Sequence, residues 1–182
     1  MIKKMEIDLL IQLCKKKDEP AQMEVYNRYH LAMYHSALRI VQNRVDAEDV
    51  MQDSFLTAFE KLEQYKGGNK FGGWLKQITL RKALHFCEKR NRQKTTLLED
   101  DWYYLSEDTS LDQDNAQAVQ LQKALNKLKP RYRNALLLMY FEGYDYEELC
   151  SVLKLSYGNC RTLISRAKEQ LKQKLTVNEL HG

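Results

Sequence analysis

From Leu128 to Leu175 a Pro-started helix, a short helix and a longer basic helix follow one another with almost no loop between them. Pro130 suits a first helical position, where its missing N–H has no intrahelical partner to lose. Ala135, Leu136, Met139 and Tyr140 then recur at helical spacing until Gly143, a natural C-terminal stop. Asp145 can cap the next segment, and Glu148 three residues on completes a capping-box pattern ahead of Leu149, Val152 and Leu153. A turn through Lys154, Leu155 and Ser156 leads into a helix from about Tyr157 to Leu175. Its apolar stripe is Cys160, Leu163 or Ile164, Ala167, Leu171 and Leu175, and its other face shows Asn159, Arg161, Thr162, Ser165 and Arg166. A short helix, a tight turn and a second helix with a polar, basic outer face form the helix-turn-helix pattern, whose second helix enters the DNA major groove. Taken alone, the pattern also describes an ordinary helical hairpin with a solvated face.

The rest of the chain narrows that choice. Seven Gly and two Pro in 182 residues, with 43% apolar side chains, predict an all-α protein with short connections. No run of about 18 apolar residues is present to cross a membrane, and Glu6 and Asp8 interrupt the first apolar run, so no signal peptide is read there. A cytoplasmic location is the expectation. Cys14, Cys87, Cys150 and Cys160 show neither CxxC nor zinc-ligand spacing and fall on or near apolar stripes, which predicts buried free thiols. No catalytic constellation, metal site or cofactor site emerges.

Charge divides the chain into three. Residues 1–94 carry a net +6, residues 115–182 a net +5, and residues 95–114 hold seven acids and no Lys or Arg. Two small basic helical domains joined by an acidic flexible linker is the economical description, and each domain suits a polyanion.

In the first domain, Ile7, Leu10, Ile11 and Cys14 mark a short amphipathic helix, and Pro20 starts a longer one through Met23, Tyr26, Tyr29, Met33, Ala37, Ile40 and Val41. A third begins near Asp46, with Glu48 and Asp49 in its first turn and a stripe of Met51, Phe55, Ala58, Phe59 and Leu62. Between Tyr65 and Trp74 lie four glycines together with Lys66, Lys70 and Phe71, in an order that is not that of a phosphate-binding P-loop. Such a segment is either an aromatic, basic loop able to surround an unstacked base, or a connector whose rings fold back into the core, the role expected of Trp74. On the helix from about Trp74 to Arg92, Arg81, Lys82, His85, Lys89 and Arg92 fall within roughly a 100° arc. Four such cations replacing counterions on duplex DNA would give a salt slope of about −3.6.

In order and spacing, these blocks resemble the bacterial RNA polymerase sigma factors of the extracytoplasmic-function (ECF) group. The resemblance rests on DAEDVMQDSFLTAFEKL at 46–62, on Trp74, Leu75 and Ile78 running into Arg90, Asn91 and Arg92, and on Glu147, Glu148, Leu149, Gly158, Ser165, Arg166, Ala167 and Leu171. It implies a non-enzymatic transcription initiation factor whose domain 1–94 docks on core polymerase, on the clamp of its largest subunit, and opens a downstream promoter element. Asp46, Glu48, Asp49, Gln52 and Asp53 would belong to the docking surface. Tyr65, Lys66, Lys70 and Phe71 would hold a flipped-out base, with Arg81, Lys82, Lys89 and Arg92 along the strand backbone. Domain 115–182 would read an upstream element as duplex through Asn159, Arg161, Thr162, Ser165 and Arg166. The linker would thread a polymerase channel, and an anti-sigma protein is a further partner that such factors often have. The sequence departs from the family at Arg81, where Asn is common, at Leu163, a commonly basic position, and in Tyr144 and Tyr146 around Asp145. A conventional helix-turn-helix regulator acting without polymerase is the competing function. A nucleic-acid-processing enzyme would need a carboxylate–metal cluster that Asp46, Glu48, Asp49 and Asp53 do not complete.

Overall fold

The structure is a computed structural model and describes residues 5–67, 70–94 and 116–179. The linker expected at 95–114 lies outside these residues. All regular structure among them is helical, and the chain divides into two compact units, Met1–Leu105 and Ser106–Gly182.

The first unit is built from α1 (Ile7–Lys15), α2 (Glu19–Val41), α3 (Arg44–Glu60) and α4 (Phe71–Lys94), with a single 3-10 turn at Leu62–Gln64. Two of these helices are opened by side-chain caps. Asp18 accepts from the Ala21 N–H at 2.8 Å to open α2, and Asn43 accepts from the Asp46 N–H at 3.0 Å to open α3. Gln42 takes a left-handed conformation (φ 56°), so α2 reverses into α3 across two residues. Helices α2, α3 and α4 pack on one another and α1 closes against α2. The buried cluster runs through Leu10, Ile11, Val25, Met33, Met51, Phe55, Leu62, Phe71 and Leu75, each a side chain worth about 1.5–3 kcal/mol on full burial.

The second unit comprises α5 (Ala116–Asn126), α6 (Pro130–Leu136), α7 (Tyr146–Leu153) and α8 (Tyr157–Glu179). Helix α8 is the element against which α5, α6 and α7 all pack. Its Cys160, Leu163, Ile164 and Ala167 meet a core that includes Leu125, Leu128, Leu136, Leu138 and Leu149. Both Leu163 and Ile164 are therefore on the buried side. The expected continuation of α6 to Gly143 as a regular helix is corrected. A π-helical turn occupies Leu137–Phe141 before the chain stops at Gly143 (φ 74°). The wider turn places Leu137 and Leu138 inside and turns Tyr140 and Phe141 out, so Tyr140 is not a core residue. The Lys168 ammonium lies 5.3 Å from the exposed Tyr140 ring.

The capping box at α7 is complete. Asp145 accepts from the Glu148 N–H at 2.8 Å, and Glu148 accepts from the Asp145 N–H at 3.1 Å. Asp145→Ala is expected to destabilise the unit by about 1 kcal/mol, and Asp145→Asn by much less. Urea denaturation followed by circular dichroism checks both, and equal losses would mean that the cap contributes through charge alone.

Candidate nucleic-acid interface

In the first unit, acids and bases sort onto different helices. On α3, residues Val45, Glu48, Asp49, Gln52 and Leu56 fall within about a 100° arc, and all five are exposed. Gln52 donates to Glu48 at 3.4 Å along that arc. Asp46 and Asp53 sit on its edge, turned toward α4. Arg90 donates to Asp46 at 3.0 Å and to the Val41 carbonyl at 3.2 Å, and Lys82 donates to Asp53. These two acids hold α4 against α3 as well as edging the outer face. Helix α4 carries the basic stripe, with Arg81, His85, Lys89 and Arg92 exposed. Lys82, at the stripe's margin, is engaged with Asp53, so three exposed Lys or Arg of the four expected (Arg81, Lys89 and Arg92) face outward.

Among the described residues before and at the start of α4, the rings of Tyr65 and Phe71, expected at a flipped-out base, pack inward. Helix α4 begins at Phe71, not Trp74, and Phe71 is 0% exposed. Its ring packs edge-on to Tyr29 (5.5 Å) and to Tyr65 (5.4 Å), and lies 5.6 Å from Trp74. Tyr65 is buried too, and its hydroxyl donates to Asp8 at 3.4 Å. Burial, followed by the charge of Asp8, pushes this phenol above its ordinary range. Gly72 makes the arrangement accessible, since a Cβ there would lie 2.9 Å from the Tyr29 ring. Tyr65 and Phe71 are thus corrected from base-stacking residues to core residues. Rings that each bury about 150–250 Å² in a small unit are drawn inward before they are left for a ligand. Lys66 and Lys70 remain exposed beside them.

In the second unit, Lys154 caps α7 in a left-handed conformation (φ 53°), and Ser156 accepts from the Asn159 N–H at 3.4 Å at the start of α8. Asn159, Arg161, Thr162, Ser165 and Arg166 are all exposed, opposite the buried stripe. Thr162 and Ser165 lie farthest from the core, with Asn159 and Arg166 on one flank and Arg161 on the other. The first flank borders a cleft of about 240 Å³, lined by Arg131, Tyr132, Asn159, Thr162, Leu163 and Arg166. Arg131 and Tyr132 belong to α6, and no pattern in the sequence singled them out. Only the packing of α6 on α8 brings them beside the outer face.

Among the described residues no helix is long and apolar enough to cross a membrane, and no group of three or more His, Cys, Asp or Glu could hold a metal ion.

Comparison with known proteins agrees with this division. Residues 25–93 match Sigma-70 region 2 and residues 118–171 match Sigma-70, region 4. The ECF RNA polymerase sigma factor SigE of Mycolicibacterium smegmatis is 32% identical over 86% of this chain, which spans 62% of that relative's length. The RNA polymerase sigma factor CarQ of Myxococcus xanthus is 30% identical over 78% of this chain and 82% of its own. The sigma factor RpoE of Bartonella quintana, solved with the anti-sigma factor NepR, superposes with a TM-score of 0.59 at 24% identity, covering 85% of this chain and 96% of that one. The chain belongs to the ECF group of RNA polymerase sigma factors: a non-catalytic subunit that directs transcription initiation at promoters.

Proposed function

We propose that the two units divide the work of promoter recognition. The exposed arc of α3, Glu48, Asp49 and Gln52 with Asp46 and Asp53 at its edge, docks on the clamp of the largest polymerase subunit. Arg81, Lys89 and Arg92 of α4, with Lys66, Lys70 and Lys82 beside them, hold the backbone of the strand displaced as the downstream element opens. In the second unit α8 lies in the major groove of the upstream element, with Thr162 and Ser165 deepest and Asn159, Arg161 and Arg166 at the flanks. An anti-sigma protein, as NepR is to RpoE, is the regulatory partner this reading adds, and the chain acts in the cytoplasm. The observation that carries the proposal is the segregation of charge in one small unit: an acidic, partly apolar face on α3 suited to a protein, and a basic stripe on α4 suited to a strand.

Charge reversal separates the two. Glu48→Lys with Asp49→Lys leaves the ion pairs of Asp46 and Asp53 intact, so the fold is expected to hold. Affinity for sigma-free core polymerase is expected to fall at least tenfold, and run-off transcription with it. Unchanged core binding in a chain of unchanged circular dichroism would overturn the docking assignment.

A further inference from the structure

Two of the four cysteines lie in one place. Cys150 sits in the last turn of α7, where its carbonyl accepts from the N–H groups of Lys154 and Leu155 and so fixes the turn. Cys160 sits in the first turn of α8, its N–H donating to the Ser156 carbonyl at 2.9 Å. Helices α7 and α8 pack on each other, and the two thiols face one another within hydrogen-bonding reach. Cys160 is fully buried, whereas Cys150 is half-buried. The guanidinium of Arg131 is close enough for its charge to favour the Cys160 thiolate. The remaining cysteines are placed differently. Cys14 is buried on α1, with its thiol pushed up to about 11 by burial and by Asp18. Cys87 is buried on α4 and donates to the Ile40 carbonyl at 3.6 Å.

We propose that Cys150 and Cys160 form a dithiol site within the helix-turn-helix that a hydroperoxide oxidises to a disulfide, tying α7 to the first turn of α8. The Cys150 thiolate attacks the distal peroxide oxygen, forming an S–O bond and breaking the O–O bond, with hydroxide released when the oxidant is hydrogen peroxide. The Cys160 sulfur then attacks the Cys150 sulfenic acid. An S–S bond forms, the S–O bond breaks, and the hydroxyl leaves as water with the proton from Cys160. Two thiols are oxidised to one disulfide and one peroxide is reduced to two waters. Burial pushes the Cys160 thiol up to about 11, helped by the facing Cys150 and opposed by Arg131. Cys160 is enclosed and Cys150 only half-buried, so Cys150 is the one first oxidised and Cys160 the resolving partner.

The bond acts on the outer face of α8. A disulfide holds its sulfurs about 2.0 Å apart, closer than two thiols in contact, so closure draws the start of α8 toward α7. Asn159 and Arg161 flank Cys160 in sequence and move with it. This consequence rests on the proposed role of α8 in reading duplex DNA, while the chemistry of the dithiol does not.

The test uses the full chain. It is treated with hydrogen peroxide, freed of oxidant with catalase, denatured and alkylated with N-ethylmaleimide. The reduced chain takes four adducts. The oxidised chain is expected to take two, with Cys150 and Cys160 recovered in one linked peptide and four adducts restored by dithiothreitol. In run-off transcription with untreated core, the oxidised chain is expected to lose at least tenfold in activity, and Cys150→Ser to keep its activity after the same treatment. Four adducts after peroxide, or linkage through Cys14 or Cys87, would overturn the proposal. A linked chain that transcribes as well as the reduced one would overturn the coupling to DNA. A reduced chain that drives no transcription from any promoter counts against the proposed role of α8, and the adduct count still decides the dithiol.

Discussion

Phe71→Ala is expected to lower the stability of the first unit by about 3–5 kcal/mol. The ring is fully enclosed, with Tyr29, Tyr65 and Trp74 around it. Gly72, the next residue, is already shaped to the Tyr29 ring, so the backbone has little freedom to close the void. Small domains have only about 5–15 kcal/mol in total, so the variant sits near the threshold of unfolding. Phe71→Leu, which keeps most of the volume, is expected to lose far less. Urea titrations of both chains check the prediction through the midpoint Cm. A Phe71→Ala midpoint equal to that of the parent would place the ring outside the core and reopen its assignment to DNA.

The second large effect is on promoter use. Arg161→Ala and Arg166→Ala are each expected to reduce run-off transcription by roughly 5- to 150-fold, the range of one good base contact at about 1–3 kcal/mol, with core binding unchanged. The two side chains leave α8 on opposite flanks of its outer face, and losses at such separated positions are expected to combine nearly additively. Their roles are separable. A residue on a base edge relaxes preference at one promoter position. A residue on a phosphate weakens all promoters alike and lowers the salt slope by about one. Arg166 shares its cleft with Arg131, which favours the phosphate role for Arg166 and the base role for Arg161. Full activity in both variants on every promoter would show that the wrong face of α8 had been assigned to DNA.

Local patterns suffice in the sequence wherever a single helix decides the outcome. The caps at Asp145 and Glu148, the buried stripe of Cys160, Ile164 and Ala167, and the outward Asn159 to Arg166 all follow from 3.6-residue periodicity and side-chain chemistry. What escaped depends on partners distant in the chain. Phe71 and Tyr65 resemble an open aromatic loop until Tyr29 and Asp8 are brought beside them by the packing of α1 and α2. Lys82 counts as a free cation until α3 delivers Asp53, and Asp46 as a free acid until α4 delivers Arg90. The π turn at Leu137–Phe141 leaves no mark in composition, since LLMYF is a good helical sequence in either hydrogen-bonding register. Arg131 and Tyr132 gain meaning only from the neighbouring helix.

The tight reversals at Gln42–Asn43 and Lys154–Ser156 also bear on how the molecule comes into being. In the first unit helices adjacent in the chain pack on one another, α1 on α2, α2 on α3 and α3 on α4, so that unit closes short loops first and depends little on distant encounters. Chains of this kind fold in microseconds to milliseconds, whereas a ribosome adds only about 5–20 residues per second. The first unit therefore completes its fold seconds before the last of α8 has been made, and its α3 and α4 faces are finished surfaces while α8 is still emerging.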